Sequence, residues 1–363
     1  MKISDIRVVH IITTIERGGA ENALLTLTQE QVKHGYQVTV MPLKGQLELK
    51  ELLEDSGVKV DLLLIGSPIL MQWWLLRKLD NEYSVVHSHL PRAEILVFAS
   101  IRKSPYVVTR HNLEQFFPRA PKVVSAFLSR AVERRSKKVV AISTAVKDFL
   151  VSTKELVSPN ICVVIHYGYR CKLDTADRRK VKKTNIIEPD NLIRLVTIGR
   201  LERQKNLILQ LKAVRKLIDR NMNVHLTILG EGSERSSLEM TVRKLGLEHK
   251  VDIPGRTSDV FTYLTNSHLF LLTSFYEGFG LALLEAMDAG IPIVAPRNSS
   301  IPEVLGSAHP GLFESNSVEA LVNNIIMIVK NKEIAYKVLE CQMTQLKTFS
   351  VEQYFQKHEI LYL

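Results

Sequence analysis

Leu269-Phe270-Leu271-Leu272-Thr273, then Glu277-Gly278-Phe279-Gly280-Leu281-Ala282-Leu283-Leu284-Glu285, then Gly290-Ile291-Pro292-Ile293-Val294-Ala295: an apolar run, a glycine-containing turn, a helical run and a second apolar run follow one another in close succession. Leu281 to Ala289 reads as a short buried helix, which Gly290 and Pro292 stop. The flanking runs, Leu269–Thr273 and Pro292–Ala295, read as buried strands. Strand, helix, strand at this spacing makes a βαβ unit and a parallel sheet. Two carboxylates, Glu277 before the helix and Glu285 inside it, bracket the turn. Gly278 and Gly280 permit close backbone approach, and a helix start offers unpaired N–H groups to an anion.

The same cadence runs through the chain. Val8–Ile12, Gln37–Leu43, Val58–Leu64, Val85–Ser88, Tyr106–Arg110, Val139–Ile142 and Cys162–Ile165 are predicted strands with helical patterns between them. A polar, charged stretch follows, with Arg178-Arg179-Lys180 and Lys182-Lys183. The cadence restarts at Leu192–Ile198 and Val224–Leu229. The expected fold class is α/β, with two Rossmann-like parallel-sheet domains. Their boundaries are 1–170 for the first domain, 171–189 for a linker or hinge and 190–345 for the second. A C-terminal helix at 346–363 is expected to pack near the domain junction, crossing back to the first domain.

The chain has 363 residues, 45% of them hydrophobic, and a net charge of +10. That length and composition suit a soluble protein of two domains. The charge favours a polyanionic neighbour: nucleic acid, an anionic membrane surface or phosphorylated substrates. Cys162, Cys171 and Cys341 form no metal-ligand spacing, so reduced thiols in the cytoplasm and no zinc site are expected. The N-terminus does not resemble a signal peptide, and Leu62–Leu76 is too interrupted to span a membrane.

Several strand ends carry polar residues. Gly18-Gly19-Ala20-Glu21 follows the first strand and opens a helix. His87-Ser88-His89 closes another strand; the two imidazoles, two apart at a strand end, are expected to face opposite ways and not to share a metal. Thr109-Arg110-His111-Asn112 closes a third, where a neutral histidine can serve a sugar hydroxyl and an arginine a phosphate or carboxylate. Gly199-Arg200 through Lys205-Asn206 follows the first strand of the second domain, and both cations can reach one diphosphate. Gly230-Glu231-Gly232 has the look of a loop beside a nucleotide. Each of these alone is also compatible with an ordinary strand-to-helix turn. The chain has no P-loop, no GxSxG elbow, no HExxH and no Asp-x-Asp pair.

Taken in this order and spacing, these motifs resemble the retaining GT-B glycosyltransferases of family GT4, over essentially the whole chain. Ala141-Ile142-Ser143 and Ile301-Pro302-Glu303-Val304 belong to the same set. The resemblance implies two domains facing across a cleft. It assigns Arg200 and Lys205 to the donor diphosphate, Glu277 to the donor sugar and Glu285 to the nucleotide ribose. Gly18 and Gly19 match the loop beside donor and acceptor, and His111 the histidine near the transferred sugar. The backbone of Phe279, Gly280 and Leu281 is expected to help bind phosphate or sugar, with Gly230 also on the donor side. Two stretches depart from the usual pattern: His166-Tyr167-Gly168-Tyr169-Arg170, where Asn-Gly is common, and Ser299-Ser300, where Gly-Gly is common.

The implied activity is that of a retaining hexosyltransferase-type enzyme. It would use a UDP- or GDP-linked sugar as donor and a glycan or lipid-linked hydroxyl as acceptor, in polysaccharide or lipopolysaccharide biosynthesis, with no metal and no other cofactor. In that mechanism a leaving-group phosphate oxygen takes the acceptor proton, and domain closure about the hinge limits hydrolysis. Eight residues of helix span about 12 Å, so Glu277 and Glu285 are expected to divide a nucleotide sugar between them. Basic residues in the first domain, among them Arg102-Lys103, Arg119, Lys122, Arg130 and Arg134-Arg135, interleave with Trp73-Trp74 and Phe116-Phe117. This suits a cytoplasmic protein held peripherally on the inner face of the membrane. A second class of reading is a catalytically silent homologue that binds sugar nucleotides as a partner subunit. No nucleic-acid partner is expected, since no reader motif accompanies the charge.

Overall fold

The structure, a computed structural model, describes residues 5–118, 120–173, 192–314 and 316–363. It divides into two compact units: Met1–Arg170 with Phe349–Leu363, and Cys171–Thr348. The expected linker at 171–189 lies, beyond Leu173, outside the described residues, as does Arg119.

In the first unit β1 (Arg7–Ile12), β2 (Gln37–Pro42), β3 (Lys59–Val60), β4 (Val85–His89), β5 (Tyr106–Arg110), β6 (Lys138–Ala141) and β7 (Cys162–Val164) form one sheet. Its order is β3-β2-β1-β4-β5-β6-β7, and every pairing is parallel. Strands β4 and β5 are buried at every position, as strands covered on both faces should be. The predicted strand Val58–Leu64 shrinks to Lys59–Val60. It pairs with Thr39 and Val40 of β2, and the Asp61 carboxylate accepts the Leu63 N–H at 3.0 Å, turning the chain away as short polar side chains do. The interrupted run at 62–76 becomes a helix only from Ile69, after Pro68. No helix among the described residues is long and apolar enough to cross a membrane.

The last helix, Val351–Tyr362, packs with the first unit. Phe355 stacks on His34 at 4.1 Å between ring centroids and meets Tyr36 edge-on at 5.9 Å. The departing stretch 166–170 is what receives this helix. Tyr169 N–H donates to Phe349 at 2.8 Å, and a Cβ on Gly168 would lie 2.9 Å from the Val351 Cα. Arg170 Nη2 meets the Glu30 carboxylate at 2.5 Å.

In the second unit β8 (Ile193–Ile198), β9 (Val224–Leu229), β10 (Val251–Gly255), β11 (Leu269–Leu271), β12 (Ile293–Pro296) and β13 (Leu312–Phe313) form a sheet of order β10-β9-β8-β11-β12-β13. The helix predicted from Leu281 runs Leu281–Asp288, followed by Gly290 at φ 70. In each sheet one strand, β1 or β8, has later strands growing away on both sides. Loops leaving the carboxyl ends at such a reversal open a crevice for ligands. The polar motifs lie in those loops.

Candidate active site

Second-unit residues assemble around the ends of β8 and β11. Gln204 Nε2 donates to the Tyr276 carbonyl at 2.8 Å, and Phe275 N–H donates to the Gln204 carbonyl at 2.8 Å. Thr273 Oγ1 donates to the carbonyls of Lys205 and Asn206 at 3.0 and 3.1 Å. These bonds lace the two loops together and bring Lys205 Nζ to 2.7 Å from Glu277 Oε1. Both side chains are mostly buried, with 17% and 7% exposed, so the pair is weakly screened. The lysine stem runs over Gly199, where a Cβ would come within 3.2 Å of Lys205 Cε.

Glu277 is held from every side. Ser274 Oγ donates to the same carboxylate oxygen at 2.5 Å. The Glu277 N–H donates to Ser299 Oγ at 2.9 Å, and Ser300 Oγ donates to the Glu277 carbonyl at 2.9 Å. Thus Ser299-Ser300, which departs from the usual glycine pair, anchors the loop that carries the carboxylate. Ser299 does so with φ 44, a left-handed conformation that costs a non-glycine residue energy.

Glycine at 280, with φ 91, opens the helix Leu281–Asp288 without any side-chain cap. The Leu283 N–H donates to the Gly280 carbonyl at 2.9 Å, and the N–H groups ahead of it form the part of the helix start that can meet an anion. Phe279 is buried to 2% exposure, so its ring belongs to the core. Glu285 sits on the second turn, where burial pushes its carboxyl up to about 7 against the opposing charge of Lys172. From Leu281 to Glu285 the helical rise is only about 6 Å. The expected 12 Å of helix between the two carboxylates is therefore replaced by a loop followed by one turn. Arg200 leaves β8 with its side chain exposed. Hydrogen bonds from Ser233, helped by the Arg200 charge, hold the neighbouring Glu202 carboxyl low. A Cβ on Gly230 would lie 1.9 Å from the Gly199 carbonyl oxygen. Glycine is thus required there by the packing of two loops, whatever else it does.

In the first unit Gly18 caps the helix Gly19–Lys33 from an extended conformation, again without a side-chain cap. The Glu21 carboxylate folds over this start, accepting from Thr14 Oγ1 at 3.0 Å and lying 2.4 Å from where a Gly18 Cβ would be. A carboxylate already answers that helix's positive end, which suits a hydroxyl ligand better than a diphosphate. Arg110 is also committed. Its Nε lies 3.0 Å from Glu94, and its guanidinium lies 4.2 Å from the Phe116 ring centre. Burial pushes Glu94 up to about 7, with Arg110 opposing. Both residues line a small pocket with Leu90, His111, Asn112 and Glu114.

His87 and His89 do not face opposite ways. Strand β4 extends through His89, and residues two apart on a strand share a face. Their ring centroids are 4.2 Å apart. His10, the register partner of His87 on β1, joins them. These three buried imidazoles offer nitrogens within 4.8 Å of one another, a set that could hold a metal ion. All six nitrogens are already hydrogen-bonded, however. His10 bonds Gln31 and His89, His89 bonds His10 and His111, and His87 bonds Tyr362 and Thr109. His111 completes the group, with Nε2 3.1 Å from His89 Nδ1 and Nδ1 2.5 Å from the Tyr167 hydroxyl. Burial, more than the nearby imidazole of His358, lowers it to about 3. Gln31, Tyr167, Tyr362, Lys172 and Ser274 were not singled out by their sequence. Gln31 lies on a helical face and Tyr167 in the departing stretch 166–170, but neither pattern names a role, and each of the five acts through a partner that only folding supplies.

Comparison with known proteins adds to this geometry. Residues 17–172 match the sequence pattern described as Glycosyltransferase Family 4, and residues 177–340 that of Glycosyl transferases group 1. An N-acetyl-alpha-D-glucosaminyl L-malate synthase of Bacillus anthracis is 28% identical over 61% of this chain, a match that spans 59% of the relative's length. A Campylobacter jejuni alpha-1,4-N-acetyl-D-galactosaminyltransferase, named for a PP-undecaprenol-linked glycan, is 26% identical over 97% of this chain and 95% of its own. Among solved structures, Anabaena Alr3699/HepE in complex with UDP-glucose superposes with a TM-score of 0.82, at 20% identity, over 98% of this chain and 99% of that one.

Proposed function

Because this chain belongs to the family 4 glycosyltransferases, with the GT-B fold, we propose that it moves a sugar from a nucleotide diphosphate sugar to a hydroxyl. The acceptor is a glycan or lipid-linked saccharide, and the anomeric configuration is retained. The observation that carries this reading is the Lys205–Glu277 pair, buried beside the uncapped start of the helix Leu281–Asp288. A lysine has three N–H donors. One can stay on Glu277 while the others meet a diphosphate, so the carboxylate is kept oriented for the sugar hydroxyls. Arg200, exposed one loop away, supplies a forked second cation, and the helix start supplies backbone N–H groups. Together they offset the charge that develops on the departing diphosphate.

The remaining roles follow chemistry. Glu285 in its ionised form can accept from both ribose hydroxyls. Gly18 and Gly19 suit a sugar or acceptor hydroxyl, and His111 the transferred sugar. With retention, a phosphate oxygen of the leaving group takes the acceptor proton, so no protein nucleophile is required. Uracil is the favoured base, given the UDP complexes of the Anabaena neighbour and the UDP-galactose donor of an Escherichia coli galactosyltransferase, 25% identical over 80% of this chain. The test is a thermal-shift panel of nucleotide sugars, followed by transfer to diphospholipid-linked acceptors. Binding of one donor should raise the melting temperature, and failure of every nucleotide and nucleotide sugar to do so would sink the reading.

The first unit also supports attachment to an anionic lipid surface. Helices Ile69–Leu79 and Lys122–Arg135 both pack on Pro91–Ser100. They expose Leu70 at 77%, Val123 at 80% and Phe127 at 67%, with exposed Arg77, Lys78, Lys122 and Arg134 beside them. Apolar side chains among cations are what a negatively charged bilayer takes up. This fits lipid-linked acceptors in cell-surface polysaccharide or lipopolysaccharide assembly on the cytoplasmic side.

A further inference from the structure

A line of hydrogen bonds runs through the first unit from Gln31, on the helix Gly19–Lys33, to Tyr167, just beyond β7. Gln31 Oε1 lies 2.9 Å from His10 Nε2, and His10 Nδ1 lies 3.0 Å from His89 Nε2. His89 Nδ1 then lies 3.1 Å from His111 Nε2, and His111 Nδ1 lies 2.5 Å from the Tyr167 hydroxyl. His10 and His89 are almost wholly buried.

The head of this line is the Gln31 amide, which faces His10 with its oxygen. An amide oxygen only accepts, so His10 carries its proton on Nε2. A neutral imidazole has one N–H, so His10 Nδ1 is bare and must accept. His89 therefore carries its proton on Nε2, leaving its Nδ1 bare, and the same step puts the His111 proton on Nε2. His111 Nδ1 is then a lone pair, and Tyr167 donates to it. Each imidazole repeats the choice made by the one before. The far end has no such authority, because a phenol both donates and accepts.

We propose that Gln31 is a positioning residue: through His10 and His89 it fixes His111 as the Nε2–H tautomer, so that His111 presents a hydrogen-bond acceptor at Nδ1. The inference rests on the reading of His111 as a sugar-site residue and sharpens it. The Nε2–H of His111 is spent inside the protein. The hydroxyl of Tyr167 is the group that turns aside when a sugar hydroxyl comes to donate to Nδ1. His111 thus recognises a hydroxyl and does not donate to developing negative charge. A metal at His10, His87 and His89 would break this line, since coordination needs the lone pairs that the hydrogen bonds use.

The test is imidazole ¹⁵N NMR of the full chain, with His111 assigned by its loss in His111→Gln. Wild type should show His111 protonated at Nε2 and bare at Nδ1. Gln31→Leu, which removes the acceptor at the head of the line, should move both nitrogens toward averaged positions. It should also lower kcat by about fivefold, the worth of roughly one neutral hydrogen bond. Gln31→Glu keeps an acceptor there and should restore the wild-type tautomer. Tyr167→Phe should leave the tautomer unchanged, because the phenol follows the line and does not set it. A wild-type His111 protonated at Nδ1, or a Gln31→Leu spectrum identical to wild type, overturns the proposal. So does a stoichiometric metal on His10 and His89. Should Gln31→Leu fail to fold, the wild-type and Tyr167→Phe spectra still decide. The NMR readouts need no sugar transfer, so an inactive preparation would count against the transferase reading and leave this one standing.

Discussion

At the scale of single residues, the site turns on charges that folding has already paired. Lys205 answers Glu277 before any ligand arrives. Removing the lysine therefore does two things: it takes a cation from the diphosphate and leaves a buried carboxylate with the Ser274 hydroxyl but no countercharge. Lys205→Ala is expected to lower kcat/KM by about 10²- to 10³-fold, as loss of a charge-stabilising donor does. Steady-state kinetics with a fixed acceptor checks this, and a loss below about threefold would remove Lys205 from the site. Glu285 supports a prediction in pH. Its carboxyl is raised from the ordinary 4.5 to about 7 by burial. Between those values the folded protein holds a proton that the unfolded chain does not, so this group's contribution to stability falls as pH rises through that window. Ribose hydroxyls need the ionised form. Donor binding should therefore tighten several-fold from about pH 6 to about pH 8, with release of a proton. Isothermal titration in two buffers of different ionisation enthalpy checks it. Glu285→Gln should bind donor weakly and without that pH slope.

At the scale of elements, loops after strands are held by contacts that the helices do not provide. The loops after β8 and β9 approach so closely that Gly230 stands where a Cβ would strike the Gly199 carbonyl, at φ 139. Gly230→Ala should cost about 1–3 kcal/mol of stability from backbone strain alone, read as a lower urea midpoint, and should weaken donor binding because Arg200 follows Gly199 directly. A stable variant with full donor affinity would show that the two loops are free to separate. The serine pair at 299–300 works similarly on the Glu277 loop. It replaces glycine freedom with two hydrogen bonds to the Glu277 backbone, at the cost of a left-handed serine. No property of the serines as residues announces this; it depends on the loop after β11 and the loop after β12 lying side by side.

At the scale of the whole chain, the last helix is far from the first unit in sequence and part of it in space. Phe355, 1% exposed, is wedged against His34 and Tyr36. Phe355→Ala should cost about 3–5 kcal/mol in the unfolding transition that carries the first unit, resolved by tryptophan fluorescence since Trp73 and Trp74 are the only tryptophans and both lie there. The exposed apolar and basic surface of helices Ile69–Leu79 and Lys122–Arg135 supports a second prediction. The protein should float with anionic but not neutral liposomes at low salt. Leu70→Ser with Phe127→Ser should abolish flotation while leaving transfer to a soluble acceptor intact. Flotation that ignores those substitutions would assign the membrane contact elsewhere.

Periodicity and turn chemistry are local, and most of the fold was legible in them. The parallel cadence, the helix from Leu281, the glycine that stops it and the positions of Glu277, Lys205 and His111 all follow from side chains read along the chain. The limits have equally physical causes. β3 is short because the Asp61 carboxylate turns the chain just after Val60, which the apolar content of the run does not announce. His87 and His89 share a face because side chains two apart on a pleated strand point the same way, and β4 runs through His89. Sequence by itself determined two parallel α/β units and the residue types at each strand end, since backbone sterics and hydrophobic burial act over a few residues at a time. Only tertiary structure decided which of those residues touch. Hydrogen bonds such as Gln31 to His10, His111 to Tyr167 and Lys205 to Glu277 join atoms 21, 56 and 72 positions apart, and their partners exist only once the sheets have brought distant strands together.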